Sequence, residues 1–280
     1  MSIIEDGLQS PALSATSSSP RSSAEPESKK RKRAEESKPL SKRASKRKKS
    51  KPSTDPLDDA LDLERGINNA VGHMDPQLLA DHIAQRNRRH QNDLSTVEQE
   101  DLRIPASAIS DTSEWHESRE KENLPNFLEH FAGAGDKTKG VDLKRAPKAQ
   151  GSPHTLVIAG AGLRAADLTR ALRQYQTKEA KVEKLFAKHI KLKEAIETVT
   201  KTRINIGVGT PQRIIDLLDD GALKSTSLKR IIVDTSHIDV KKRGILDMRE
   251  TLVPLMNLLK REELSKRYEL GQDRLQLLFY

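Results

Sequence analysis

The chain has 280 residues, no cysteine, and a formal net charge of +9 from 50 Lys/Arg against 41 Asp/Glu. That length accommodates one α/β domain with flanking segments. The missing cysteine excludes disulfides and cysteine-bound zinc and favours an intracellular protein. No apolar run reaches the roughly 20 residues that span a bilayer, and the N-terminus lacks a signal-peptide core, so no membrane partner is expected.

The charge is unevenly spread, with a net +7 over residues 1–55, −6 over 56–150 and +8 over 151–280. A basic tail, an acidic middle and a basic body make nucleic acid the natural partner of the basic parts. Residues 1–56 are rich in Ser, Pro, Lys and Arg and hold no aromatic residue. They cannot bury enough apolar surface to offset ordering entropy, which predicts a disordered basic tail. Two basic runs lie within it, Lys29-Lys30-Arg31-Lys32-Arg33 and a second that contains Lys46-Arg47-Lys48-Lys49. They read as a nuclear import signal that can also touch RNA phosphates, or as a solubilising tail with no receptor.

Residues 57–150 form a second segment, helical at first and then a strap that packs on or leads into the following lobe. Asp75-Pro76 has an N-cap residue ahead of Pro at the first helical position, and Leu78, Leu79, His82, Ile83 and Arg86 follow at helical spacing. Ser95 with Glu98 makes a capping-box pattern, and Pro105 predicts a helix stop. The sole tryptophan, Trp115, precedes Leu124, Phe127, Leu128 and Phe131. Those apolar anchors suit a strap against the domain or a docking peptide for a partner. Gly140 to Ser152 reads as a polar linker.

Residues 151–280 alternate between strand-like and helix-like stretches. Apolar runs at 155–159, 182–187, 204–208, 231–233 and 275–280 read as strands separated by helical patterns. This alternation predicts an α/β fold with one mainly parallel sheet covered on both faces. The last strand would leave an exposed edge that a partner could extend, unless its apolar residues tuck inward.

The best local site is the turn at Thr210. Thr210 fits an N-cap, Pro211 the first helical position, and Gly221 the residue past the helix end. Such a helix starts at the carboxyl end of a parallel strand, where open α/β sheets bind ligands and free N–H groups favour a phosphate. Arg213, one turn in, can add a charge-assisted hydrogen bond. The same punctuation is also ordinary strand-to-helix grammar. Lys188-His189, between Lys184 and Lys191, would emerge on the same rim, although nearby Glu179, Glu183, Glu194 and Glu197 could equally balance a solvated helix face. No His, Asp and Glu residues stand at ligand spacing here, so neither a metal nor a catalytic residue is predicted. His237-Ile238-Asp239 reads as a loop.

Residues 155 to 280 resemble the latter part of the first RecA-like lobe of a DEAD-box RNA helicase. Thr210-Pro211-Gln212-Arg213 stands where that family carries its RNA-contacting TPGR element. Asp234-Thr235-Ser236-His237 stands where it would read Asp-Glu-Ala-Asp, so the residue that positions water is a threonine. Arg164 is the basic residue nearest to the family's PTREL element, which is not reproduced. Phe131 to Thr138 imitates a phosphate-binding loop, but Asp136 puts a negative charge where phosphate would lie. The resemblance implies an RNA-binding lobe with no ATPase chemistry, no cofactor and no small-molecule substrate. Arg164, Lys188, His189, Thr210 and Arg213 are its candidate RNA contacts.

The segments Lys184-Leu185-Phe186-Ala187-Lys188-His189-Ile190-Lys191 and Gly207-Val208-Gly209-Thr210-Pro211, with the Asp234 region, resemble the CMS family of small-subunit pre-ribosome proteins. That resemblance covers roughly residues 75–280. It implies a non-enzymatic ribosome-biogenesis factor in the nucleus and nucleolus, with pre-ribosomal RNA and snoRNP-containing pre-ribosome proteins as partners. A protein scaffold without RNA binding and a divergent ATP-binding switch are the alternative readings.

Overall fold

The computed structural model describes residues 60–132, 143–187, 189–269, 271 and 274–280. The basic runs of the tail, Lys188 and the Gly133–Thr138 part of the phosphate-loop lookalike lie outside the described residues.

A short antiparallel hairpin, β1 (Leu61–Asp62) with β2 (Ile67–Asn68), opens the described chain. Helix α1 (Pro76–His90) starts where Asp75 accepts the backbone N–H groups of Gln77 and Leu78, both at 2.9 Å. It buries Leu79 and Ile83 and leaves Leu78 exposed, so the apolar stripe is narrower than the spacing suggests. Helix α2 (Thr96–Asp101) carries the Ser95–Glu98 capping box in full. It ends at Asp101, ahead of Pro105, which instead leads a 3-10 turn over Ala106–Ala108. Helix α3 (Leu124–Ala132) follows and buries Leu124, Phe127, Leu128 and Phe131.

The sheet follows, as β3 (Thr155–Ile158), α4 (Gly162–Ala171), β4 (Lys181–Leu185), α5 (Leu192–Lys201), β5 (Ile204–Gly209) and α6 (Pro211–Asp220). The chain closes with β6 (Arg230–Val233), α7 (Arg249–Leu259), α8 (Glu262–Ser265) and β7 (Gln276–Phe279). The strand order is β4-β5-β3-β6-β7, and every pairing is parallel. Strand β4 ends two residues before the apolar run does, because Phe186 and Ala187 already turn toward α5.

Alternation divides the strand residues between two faces. Leu156, Ile158, Ile231 and Val233 pack with residues of α1, α5, α6 and α7, while Val157, Ile206, Val208 and Ile232 pack with α3 and α4. Trp115 is buried on the second face, edge-on to Phe127 with ring centroids 5.5 Å apart. The expected linker is less polar in practice. Leu143 is buried, its carbonyl accepts Asn205 Nδ2 at 2.7 Å, and Arg203 donates to the carbonyls of Ala146 and Pro147.

The outer edge of β7 is not left bare. Ile109 bridges Leu277 in parallel register, and the Ser110 N–H donates to the Leu277 carbonyl at 2.8 Å. Beyond it, the Arg119 guanidinium donates to the carbonyls of Phe279, Gly72 and Thr112. The chain thus covers its own sheet edge, which removes the template for strand addition.

Candidate nucleic-acid interface at the carboxyl ends of the strands

All five strands point their carboxyl ends at one rim. The loops after β3, β4, β5 and β6 therefore converge there. Gly209 permits the closest approach, since a Cβ on it would lie 2.1 Å from the Leu185 carbonyl oxygen of β4. Thr210 follows and its N–H donates to that same carbonyl at 3.2 Å. Thr210 occupies the N-cap position of α6 with Pro211 next, but its hydroxyl makes no capping bond. Ala161, at the N-cap of α4, has no side chain able to cap. Two helix starts without side-chain caps therefore border one shallow cleft of about 370 Å³, lined by Ala161, Gly162, Leu163, Ala187 and Thr210. Their free N–H groups and dipoles favour an anion.

The predicted cations fall into two groups. Arg213 is 8 % exposed, and its Nη1 donates to the Ile190 carbonyl at 3.1 Å. Arg164 points to the end of β6. Its Nε and Nη2 donate to the two carboxylate oxygens of Asp234 at 2.7 and 3.0 Å. Burial opposes the charge on Arg164, but the facing carboxylate of Asp234 outweighs it and raises the arginine's pKa. Both arginines are thus engaged within the chain. His189 is exposed in the loop after β4, with a left-handed φ of 62°. Lys184, Lys191 and Lys193 are exposed, and none has an ion pair among the described residues. Glu179 turns instead to Arg203, at 3.4 Å.

The polar side chains after β6 are engaged within the chain. The Asp234 side chain is 1 % exposed and has both oxygens on Arg164. Thr235 Oγ1 and the N–H groups of Thr235 and Ser236 all donate to the Tyr280 carbonyl. His237 is held below the ordinary histidine range by burial first and then by the positive charge of Arg164. Among the described residues, no three His, Cys, Asp or Glu side chains gather as metal ligands.

Sequence reasoning missed the basic loop that follows. In Asp239–Arg243, Asp239 pairs with Arg243 and leaves Lys241 and Lys242 exposed without an ion pair among the described residues. The signal was the run Lys241-Lys242-Arg243, one short cluster among many in a basic chain.

The family model described as CMS1, U3-containing 90S pre-ribosomal complex subunit, matches residues 14–280. Protein CMS1 of Chaetomium thermophilum is 54 % identical over 224 residues, covering 80 % of this chain and 87 % of that one. Protein cms1 of Schizosaccharomyces pombe is 30 % identical over 218 residues, covering 78 % and 74 %. Human Protein CMSS1 is 30 % identical over 169 residues, and the match spans 60 % of this chain and 57 % of the human protein. Among solved structures, a DEAD box protein from Methanococcus jannaschii aligns with 15 % identity and a TM-score of 0.30, covering 47 % of this chain and 32 % of that one. With a family match over nearly its whole length and relatives at this identity, the chain belongs to the CMS1 family of 90S pre-ribosomal complex subunits.

Proposed function

We propose that this chain is a non-enzymatic assembly factor of the small-subunit processome. It binds pre-ribosomal RNA and pre-ribosome proteins, including those of snoRNPs, through a lobe without ATPase chemistry. Its place of work is the nucleolus, reached through the basic runs at Lys29–Arg33 and Lys46–Lys49. The observation that carries the reading is the closure of Asp234. A magnesium-dependent phosphoryl transfer needs a carboxylate free to hold the ion, and here both oxygens accept hydrogen bonds from Arg164. What stays open on the rim suits a phosphate backbone: two helix starts without side-chain caps, His189 and exposed lysines.

The test is RNA binding by the full chain, its tail runs Lys29–Arg33 and Lys46–Lys49 replaced by glutamine, across a salt series with and without ATP and magnesium. Affinity that falls with salt and ignores nucleotide supports the reading. A shift in affinity or melting temperature with ATP would instead identify a nucleotide switch, because a ligand that prefers the folded state stabilises it. The inward engagement of Arg164 and Arg213 favours a second reading, a protein scaffold. It predicts no RNA affinity beyond that of the basic tail.

A further inference from the structure

The segment after β6 carries a second cationic element, folded around a single carboxylate. After β6, residues Asp239–Arg243 make a closed loop. The Asp239 N–H donates to the Arg243 carbonyl at 2.9 Å, and the Lys242 N–H donates to the Asp239 carbonyl at 2.8 Å. The Asp239 carboxylate accepts the N–H groups of Lys241 and Arg243 at 2.8 and 2.9 Å, and the Arg243 guanidinium at 3.1 and 2.8 Å. The loop's one carboxylate is therefore fully engaged with backbone and Arg243.

Three residues remain at the tip. Val240 is fully exposed, and Lys241 and Lys242 are exposed with no ion pair among the described residues. Lys242 is held at a φ of 62°. A left-handed lysine is strained by about 1 kcal/mol or more and persists only where its surroundings impose it. Only two described non-glycine residues have positive φ, His189 and Lys242. They lie in the loops after β4 and β6, strands three places apart in one parallel sheet. At the usual strand spacing the ends of β4 and β6 are roughly 14 Å apart, with the ends of β5 and β3, and so Thr210 and the start of α4, between them.

We infer that the Val240–Lys242 tip is a preorganised phosphate-binding element, which with His189 after β4 holds an RNA strand running across the rim. This rests on the RNA-binding reading above and relocates its cationic contacts. Arg164 and Arg213 are engaged internally, whereas Lys241 and Lys242 have no ion pair among the described residues and sit in a loop tied by its own hydrogen bonds. A loop ordered before binding loses less conformational freedom on contact. Lysine suits this role as a point charge for phosphate, with no base specificity.

The test is fluorescence anisotropy of the full chain with a labelled single-stranded 12-nucleotide RNA over a salt series. The variants are Lys241→Gln/Lys242→Gln and, separately, Asp239→Ala. The double variant should bind about tenfold more weakly at low salt, and its log–log salt slope should be shallower by about 1.4, since each phosphate contact contributes roughly 0.7 for single strands. Its melting temperature should stay within a degree or two, because neither side chain is buried. Asp239→Ala makes the chain more positive yet loosens the loop, so it should also bind more weakly. Tighter binding by Asp239→Ala would show that only net charge matters and overturn the preorganised element. Wild-type binding with an unchanged double variant would overturn the loop assignment and leave RNA binding standing. No wild-type binding would overturn both, and the loop would then be sought as a contact for an acidic protein surface.

Discussion

Arg164 closes on Asp234 with two near-parallel hydrogen bonds of 2.7 and 3.0 Å, although the residues lie 70 positions apart in sequence. The pair joins the first turn of α4 to the end of β6, where the arginine side chain is 10 % exposed and the aspartate 1 %. Removing one partner strands a buried charge, at a cost of about 3–5 kcal/mol. Arg164→Ala and Asp234→Ala should each lower the urea midpoint by that equivalent. Arg164→Met with Asp234→Leu should recover most of the loss. If the double variant is as unstable as the sum of the two singles, the pair is not the coupled unit described here.

A second buried arginine has no carboxylate partner among the described residues. Arg119 is 4 % exposed and donates to the carbonyls of Gly72, Thr112 and Phe279, joining the loop before α1, the strap and the sheet edge. Burial pulls its pKa down to about 10, which leaves it charged at neutral pH. Arg119→Met keeps most of the volume but takes the side-chain donor from the Gly72 carbonyl, while the Thr112 carbonyl keeps the Trp115 N–H and the Phe279 carbonyl keeps the Thr112 hydroxyl. With one buried acceptor left unsatisfied, the expected loss is about 1–3 kcal/mol by chemical denaturation. Emission from Trp115, the only tryptophan, should shift to the red at lower denaturant than the far-ultraviolet circular dichroism changes, because the strap detaches first. Coincident transitions would mean that the strap and the sheet unfold as one unit.

Gly209 is the point where β4 and β5 come too close for any side chain. A Cβ there would lie 2.1 Å from the Leu185 carbonyl oxygen and 2.7 Å from its Cβ. Gly209→Ala must push the end of β4 aside, and with it the loop that carries His189. Overpacking of this kind costs about 1–3 kcal/mol. The substitution should lower the melting temperature and also weaken RNA binding. Gly221→Ala serves as the comparison: no atom lies within 4 Å of its Cβ position, and the strain comes only from its φ of 82°. It should lower stability while leaving RNA affinity unchanged.

The parts legible in the sequence are those whose chemistry is local. Asp75-Pro76, Ser95 with Glu98, and Thr210-Pro211 with Gly221 each mark a boundary within one or two turns of chain, and each marks one here. The apolar runs at 155–159 and 204–208, which fold as strands over 155–158 and 204–209, follow from burial on both faces of a parallel sheet. Long-range pairing was not legible. Arg119 finds its acceptors 47 and 160 positions away, and nothing in its neighbourhood distinguishes it from other arginines of the chain. The candidate site divides the same way. Thr210 and the rim follow from strand–helix grammar, whereas the inward turn of Arg213 depends on where the β4 loop places the Ile190 carbonyl. The exposed lysines of the β6 loop depend on an Asp239 carboxylate that gathers its own loop and leaves their side chains out.

The three tyrosines of the chain, Tyr175, Tyr268 and Tyr280, are all at most 2 % exposed. The Tyr268 hydroxyl donates to the Leu259 carbonyl, and Tyr280 donates to the Glu120 carbonyl. The Tyr175 hydroxyl lies 3.0 Å from the Pro125 carbonyl and 2.8 Å from a Glu129 carboxylate oxygen. Burial raises all three pKa values above the ordinary 10, and for Tyr175 the Glu129 carboxylate adds to it. The folded state therefore retains protons that the unfolded state releases above pH 10. The tyrosines' contribution to stability is complete below pH 10 and declines as pH rises beyond it. Phenolate absorbance near 295 nm should accordingly appear in one cooperative step, together with loss of circular dichroism and only above pH 10. A gradual rise that begins near pH 10 with the fold intact would show that at least one hydroxyl is open to solvent, and the Tyr280→Phe variant would tell whether it is the one beneath the strap.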